Sequence, residues 1–393
     1  MRILVLSEKS EHTRRLLRYA LAPHGYEILL LHRNPWSQQD IDAYRESGAS
    51  EAVAIFDISR WKNKKTKLGK WCALCAGVLR TIKKFQPDVV NLQFVDTFSV
   101  AALFFTIGFS RRFILSFWGS DLLRQKKWLF LRVIYPLALC RANMVTFDSL
   151  NMLDRLHYLY GKKYDHKIQI VRFCNPIIEI LNKMRVQYTR DEMRDRFGFP
   201  TDGRIIVSIG YCNIKEHNHL RITQAIGLLP KKVQEKLFLV YPMTYGETSS
   251  GYLTQIEEER GKLFCESLVL REYLTEEECA CLYLSVDGFI HAQTTDAYSQ
   301  TFVDYIYAGA TVFQAKWLHY PEIDSYGLNL YEFADYSQLT QLLKDYVDDF
   351  PVRSLIQTPS AIDILYKTES SSEIAKRMKI VVEGDNYVSN SAL

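Results

Sequence analysis

Long apolar runs are missing from this sequence. No stretch of about 18 uncharged apolar residues occurs anywhere in the 393, which removes the pattern of a membrane-spanning helix. The opening MRILVLSE reads as a strand and lacks a signal peptide's architecture, so a cytoplasmic protein is expected. Proline is scarce at 11 residues, and no internal repeat or biased tract is visible. Together with 48% hydrophobic and 24% charged residues, this excludes a disordered or low-complexity chain. A zinc pattern is missing too. Cys72 and Cys75 form a CxxC, but Cys279 and Cys281 are one residue apart, so no second pair completes four ligands. The eight cysteines read as mostly buried thiols, and no metal is expected.

Acid is missing locally. The net charge of +4 hides an asymmetry: residues 1–182 hold 28 Lys and Arg against 15 Asp and Glu, and the remainder 21 against 30. The first half is therefore expected to face something anionic. Two stretches concentrate the charge. Residues 60–84, RWKNKKTKLGKWCALCAGVLRTIKK, contain nine basic residues and no acid, and RQKKWLFLRVIY at 124–135 repeats the chemistry. Basic residues on one side and Trp, Leu and Val on the other suit an anionic membrane surface. The expected face comprises Trp61, Lys64, Lys65, Lys67, Trp71, Lys126, Lys127 and Trp128, with Trp128 and Phe130 as shallow anchors. The alternative is a core-facing helix with a solvated basic edge. Nucleic acid is the rival anionic partner, but no nucleic-acid motif appears and the apolar density of 128–140 favours lipid.

A length of 393 residues suits two α/β domains. Short β-rich runs at 2, 27, 52, 88, 113, 144 and 168 alternate with amphipathic stretches at 10–22, 68–85, 97–108, 128–141 and 149–160. That rhythm predicts a doubly wound parallel sheet over residues 1–175. Asn175-Pro176 closes it, because a residue before proline is pushed out of helical geometry, and 176–200 reads as a connector. A second alternation over 201–367 has strands near 204, 236, 267, 287 and 311. Residues 368–393 form a last helix and tail that could pack back on the first domain. Two Rossmann-like domains facing a central cleft place ligands at the carboxyl ends of the strands.

One such position is TTDAYSQTFVDYIYAG, residues 294–309, after the strand DGFIHA. Ser299, Gln300 and Thr301 would offer the N–H groups of a helix start to a phosphate, while Asp296 precedes that helix and Asp304 lies about one and a half turns into it. The competing reading is a capping aspartate and a solvated one.

The stretch resembles the acidic-x7-acidic signature of GT-B glycosyltransferases, with Asp296 and Asp304 as the two acids and Tyr305 to Gly309 as the run that follows. Both acids are Asp where the family has Glu, and Ala297, Ser299 and Gln300 replace its loop glycines. In SIGYCNIKEHNHL, residues 208–220, Gly210 and Lys215 resemble the family's diphosphate-binding loop, with the usual arginine absent. His217 and His219 could substitute by donating hydrogen bonds, the alternative being surface polarity. SFWGSDLLRQ, residues 116–125, is similar to the family's Trp-Gly-x-Asp turn: Trp118 would face the acceptor and Asp121 would act as general base, unless it only caps the next helix. Glu8, Lys9 and His12 follow the first strand where acceptor contacts are implied. Tyr245, in VYPMTYGE, resembles a turn of bacterial surface-polysaccharide transferases.

The resemblance implies transfer of a sugar from a nucleotide-sugar to a lipid-linked or growing polysaccharide acceptor. It needs no cofactor or metal, and the enzyme would be peripheral on the inner face of the cell membrane. Asp304 would bind the ribose and Asp296 the donor sugar. A nucleotide-sugar 2-epimerase on the same fold and a non-catalytic membrane-associated scaffold remain as alternatives.

Overall fold

The computed structural model describes residues 1–7, 10–32, 37–54, 66–96, 112–246, 250–296 and 298–384. The chain divides into two compact units, one of Met1–Asn175 together with the stretch from Glu369, the other of Pro176–Thr368.

The first unit is built on seven parallel strands: β1 (Arg2–Leu6), β2 (Glu27–His32), β3 (Glu51–Ala54), β4 (Val89–Gln93), β5 (Arg112–Ser116), β6 (Met144–Phe147) and β7 (Ile168–Ile170), in the order β3-β2-β1-β4-β5-β6-β7. Side chains alternate across a strand, so a sheet covered on both faces needs apolar residues at nearly every position. The strands supply them. Leu4, Leu6, Leu29, Leu31, Val90 and Leu92 pack on one side with Leu74, Val78 and Ile82 of the helix Lys67–Phe85. Ile3, Val5, Ile28, Leu30 and Val89 pack on the other with Leu17, Ala20 and Leu21. The helix Ser371–Glu383 joins this second layer through Ile374, Met378, Val381 and Val382, a stripe at helical spacing. It is pinned there by Arg112 Nε donating to the Val381 carbonyl at 2.7 Å and by the Tyr26 hydroxyl donating to Glu383 at 2.7 Å. Just before it, Arg172 and Glu369 form an ion pair at 3.5 Å with side chains only 3% and 0% exposed, and Arg172 also donates to the Asp148 carbonyl.

The second unit carries β8 (Ile205–Ile209), β9 (Leu237–Pro242), β10 (Glu266–Leu270), β11 (Gly288–His291), β12 (Thr311–Ala315) and β13 (Tyr331–Phe333), again parallel, in the order β10-β9-β8-β11-β12-β13. The segment expected as a connector is instead part of this unit. Ile177, Ile178, Leu181 and Met184 form one face of the helix Ile177–Gln187 and enter the second core, and Met193 of the helix Arg190–Phe197 follows them. That second helix starts in a capping box, Glu192 N–H on Thr189 Oγ1 at 3.3 Å and Thr189 N–H on Glu192 Oε2 at 2.7 Å. The three-residue strand β13 has no counterpart in the sequence reading. The helix expected at 97–108 lies outside the described residues. All eight cysteines are free thiols, with Cys75, Cys174, Cys212 and Cys281 buried and Cys140 exposed.

Candidate functional site

In the second sheet the chain leaves β8 towards β9 on one side and β11 towards β12 on the other, although β8 and β11 are neighbours. A crevice opens outside the carboxyl ends of strands at such a reversal, with no side chains yet considered. The two loops that flank it, 210–218 and 292–299, are stitched together. Asn218 donates to the Ala292 carbonyl at 2.7 Å, and the Thr294 N–H reaches the Glu216 carbonyl at 2.8 Å. The Asn213 N–H joins the Tyr245 carbonyl at 2.7 Å, so the loop after β9 is tied in as well. Gly210 has φ +64°, and a Cβ there would stand 2.6 Å from His219 Nε2 and 3.1 Å from His217 Nδ1. Glycine is required both by backbone conformation and by space. Lys215 and Tyr245 are exposed on these loops.

Asp296 lies at the centre of a side-chain network. Its Oδ2 accepts from Gln293 Nε2 at 3.1 Å and from the Tyr320 hydroxyl at 3.2 Å. Tyr320 in turn meets His291 Nε2 at 2.9 Å, and Gln293 also donates to the Tyr211 hydroxyl. Trp317 Nε1 holds the Gln293 carbonyl at 2.7 Å. Asp296 itself is half-buried. Burial first, and then the nearby Asp296 charge, push the hydroxyls of Tyr211 and Tyr320 well above the usual phenol range, so both stay protonated hydrogen-bonding groups. Sequence reasoning missed Gln293, Trp317 and Tyr320. The aromatic cluster KWLHY directly after β12 is the signal that could have found the last two.

Several expected residues have other employment. Ser299 is buried, and its hydroxyl caps the helix Gln300–Ala308 by accepting the Phe302 N–H at 3.2 Å, which leaves the backbone of Gln300 and Thr301 as the open start of that helix. Asp304 is 3% exposed, enclosed on the helix beside Tyr283 and Tyr305, whose hydroxyls its charge helps keep protonated. The expectation that both aspartates face a ligand is therefore corrected: one and a half turns in, a side chain as short as Asp stays within the core layer. His217 is likewise buried. Its Nε2 lies 2.9 Å from Cys212 Sγ, and its ring packs edge-on against Tyr211 and parallel to His219. Burial, reinforced by His219 and His291, lowers its pKa to about 2, and burial lowers His219 and His291 to about 3. His217 and His219 are neutral packing groups beside Gly210, which removes His217 from the ligand-facing set.

The first unit holds a small pocket, partly open to solvent, at the carboxyl ends of β4 to β7, lined by His12, Gln93, Trp118, Thr146 and Phe173. His12 stacks on Phe173 with centroids 4.3 Å apart, and Trp118 presents its edge to both. Trp118 Nε1 donates to Gln93 Oε1 at 2.7 Å, and Gln93, Ser116 and Thr146 continue the hydrogen bonds across the floor. The result is an aromatic wall over a saturated polar base. Asp121 does not take part. It is 4% exposed, and its carboxylate accepts the N–H groups of Val95 at 2.9 Å and of Trp118 and Gly119 at 3.0 Å each. Burial raises its pKa to about 6 against the lowering effect of those bonds. The carboxylate expected as a general base is thus the tie that shapes the Trp118 turn. Glu8 and Lys9 lie outside the described residues.

Of the basic face, Trp61, Lys64 and Lys65 also lie outside the described residues, and Lys67 begins the helix Lys67–Phe85. Leu68, Trp71, Trp128, Leu129, Val133 and Leu137 are exposed, Trp128 at 69%, with Lys70, Arg124, Lys126, Lys127 and Arg132 exposed among them. Phe130 is not an anchor. It is buried in the same core layer as Leu74 and Val78, edge-on to Tyr135. Among the described residues no helix is long and apolar enough to cross a membrane, and no cluster of three or more His, Cys, Asp or Glu is placed to hold a metal.

Two parallel doubly wound sheets in this order define the GT-B fold. Residues 2–149 match the family model described as glycosyl transferase 4-like. Among solved structures, a glycosyltransferase from Rickettsia africae ESF-5 is 15% identical with TM-score 0.74, covering 97% of this chain and 97% of that one. Anabaena Alr3699/HepE in complex with UDP and glucose is 14% identical with TM-score 0.70, covering 96% and 98%. The UDP-GlcNAc 2-epimerase from Neisseria meningitidis bound to UDP-GlcNAc is 11% identical with TM-score 0.60, covering 97% and 98%. At these identities the likeness establishes the shared fold. A sequence comparison with curated proteins gave no match.

Proposed function

We propose that this chain is a glycosyltransferase that moves a sugar from a nucleoside-diphosphate sugar, held by the second unit, to a hydroxyl of a lipid-linked or growing surface-polysaccharide acceptor, held by the first. The observation that carries this reading is the pair of stitched loops at the β8–β11 reversal, which sets Gly210, Lys215, Asp296 and the start of the helix Gln300–Ala308 around one crevice. The glycosyl transferase 4-like match and the UDP-bound HepE fold support it. In the reaction, the acceptor oxygen bonds to the anomeric carbon as the bond from that carbon to the diphosphate oxygen breaks. The nucleoside diphosphate leaves with the electron pair, and the acceptor hydroxyl releases its proton to water. Charge therefore grows on the diphosphate. The Lys215 ammonium and the backbone N–H groups of Gln300 and Thr301 would stabilise it without a metal ion. Asp296 would receive hydroxyls of the donor sugar, Tyr245 would border the donor crevice, and His12 and Trp118 would form the wall for the acceptor.

The exposed face of the first unit supports a lipid partner. No acid stands between Asp121 and Asp148, while Trp71, Trp128 and Leu129 are exposed beside Lys70, Lys126 and Lys127. Each basic residue near an anionic leaflet contributes about 1 kcal/mol, enough for peripheral attachment on a cytoplasmic membrane face. Cosedimentation with vesicles should therefore require anionic lipid.

A thermal-shift panel of nucleoside diphosphates, run with a chelator, tests the donor site. One nucleotide should raise the melting temperature, and none doing so at millimolar concentration would refute the reading. The epimerase-like neighbour supplies a second reading, which predicts conversion of the nucleotide-sugar without any acceptor.

A further inference from the structure

We infer that Tyr320, held in turn by His291, is the positioning residue that sets the carboxylate of Asp296 for contact with the donor sugar; this rests on the donor site proposed above. The hydrogen-bond inventory fixes the direction. A carboxylate only accepts, so the single proton of the Tyr320 hydroxyl goes to Asp296 Oδ2 across 3.2 Å. The phenol oxygen must then accept from His291 Nε2–H across 2.9 Å. That assigns His291 the Nε2–H tautomer, and its Nδ1, buried and without a hydrogen-bond partner among the described residues, has no proton to place. A neutral imidazole agrees with the complete enclosure of the ring between Phe289, Phe302 and Tyr320.

The order runs from rigid to soft. His291 closes strand β11 in the core, Tyr320 is 2% exposed in the loop after the neighbouring strand β12, and Asp296 stands half-buried at the crevice. Gln293 Nε2 fixes the same oxygen from a second direction at 3.1 Å. Asp121, in the other unit, shows what a carboxylate used only to shape a turn looks like: enclosed, with three backbone N–H donors. Asp296 is less enclosed than Asp121, half-buried, with the core-anchored Tyr320 hydroxyl on its Oδ2. A ligand hydroxyl meeting an acceptor already fixed in orientation loses less freedom on binding, which gives the Tyr320–His291 pair a role in sugar recognition.

The test uses the full chain and calorimetry with each nucleoside diphosphate and its common sugar derivatives. Tyr320→Phe removes one oxygen and keeps the ring. It should leave the affinity for the diphosphate unchanged and weaken the sugar derivative by up to about tenfold, the cost of immobilising the loosened Asp296 side chain on binding. His291→Gln, which retains a side-chain N–H, should restore most of what His291→Leu loses, and Tyr320→Phe alone decides the matter if the leucine variant does not fold. Equal losses for diphosphate and sugar derivative, no loss for either, or a wild type in which no sugar derivative binds better than its diphosphate would each overturn the inference while leaving the nucleotide site standing. If the wild type binds no diphosphate at all, the donor-site reading falls first and this inference with it.

Discussion

Mild acid should destabilise the second unit more than the first. His217, His219 and His291 are held neutral by burial, with pKa values near 2, 3 and 3, against about 6.5 for an unfolded histidine. Between those limits the unfolded chain binds protons that the folded chain refuses, so stability is lost as pH falls through 6.5. The folded values lie far below pH 5.5, so at that pH only the unfolded value sets the loss, about 1.4 kcal/mol for each ring. Three rings give about 4 kcal/mol, a large part of the 5–15 kcal/mol typical of a folded protein. In the first unit His12, lowered to about 4 by burial and the nearby Arg15, pulls the same way as the three rings, while Asp121 works in the opposite direction. Its raised value near 6 makes the folded state take up a proton first, a gain of just under about 1 kcal/mol at pH 5.5. Urea unfolding at pH 7.5 and 5.5, followed by circular dichroism, reads the difference. His219→Gln should remove about one third of the pH dependence. A stability that stays within about 1 kcal/mol over this range would show that these rings can be protonated in the folded state and refute the argument.

Other consequences are open to simpler measurements. Asp121→Ala strands three buried N–H donors at 95, 118 and 119 and should lower stability by about 2–4 kcal/mol in a denaturant titration, whereas a general-base role alone would leave stability intact. Gly210→Ala, with φ +64° and a 2.6 Å approach to His219, should cost at least about 1–2 kcal/mol and weaken nucleotide binding in the same preparation. Glu369→Gln removes the carboxylate charge paired with the buried Arg172 and should cost up to about 3–5 kcal/mol, seen as a lower melting temperature. Asp304→Asn should keep nucleotide affinity in calorimetry, because the acid is enclosed at 3% exposure.

Strand positions were the most legible part of the sequence. A parallel sheet buried on both faces needs runs such as RILVL, EILLL and FILS, and periodic helices between them leave little choice of architecture. The helix Ile177–Gln187 was obscured by Asn175-Pro176. Proline breaks what precedes it but is tolerated at a helix start, where its missing N–H would have no partner in any case. β13, Tyr331-Glu332-Phe333, lacks the β-branched apolar run that marked the equally short β7. In the site, Gly210 and Asp296 could be found from their place after strands, because topology alone puts those loops at the reversal. The roles of Asp121, His217, Ser299 and Asp304 could not. Each turns on whether a short side chain points to backbone, core or crevice, and that is set by the packing of elements distant in sequence.

The membership of the helix Ser371–Glu383 in the first unit bears on how the molecule is made. A ribosome delivers β1 to β7 first, yet Ile3, Val5, Ile28 and Leu30 lack Ile374, Met378 and Val381 until the closing residues emerge. Residues 176–368 contain every strand of their own sheet and can settle while synthesis continues. The order of completion is therefore the reverse of the order of translation: the unit begun first is finished last, and during that interval the part of its apolar sheet face that Leu17, Ala20 and Leu21 leave open is exposed to chaperones and to aggregation.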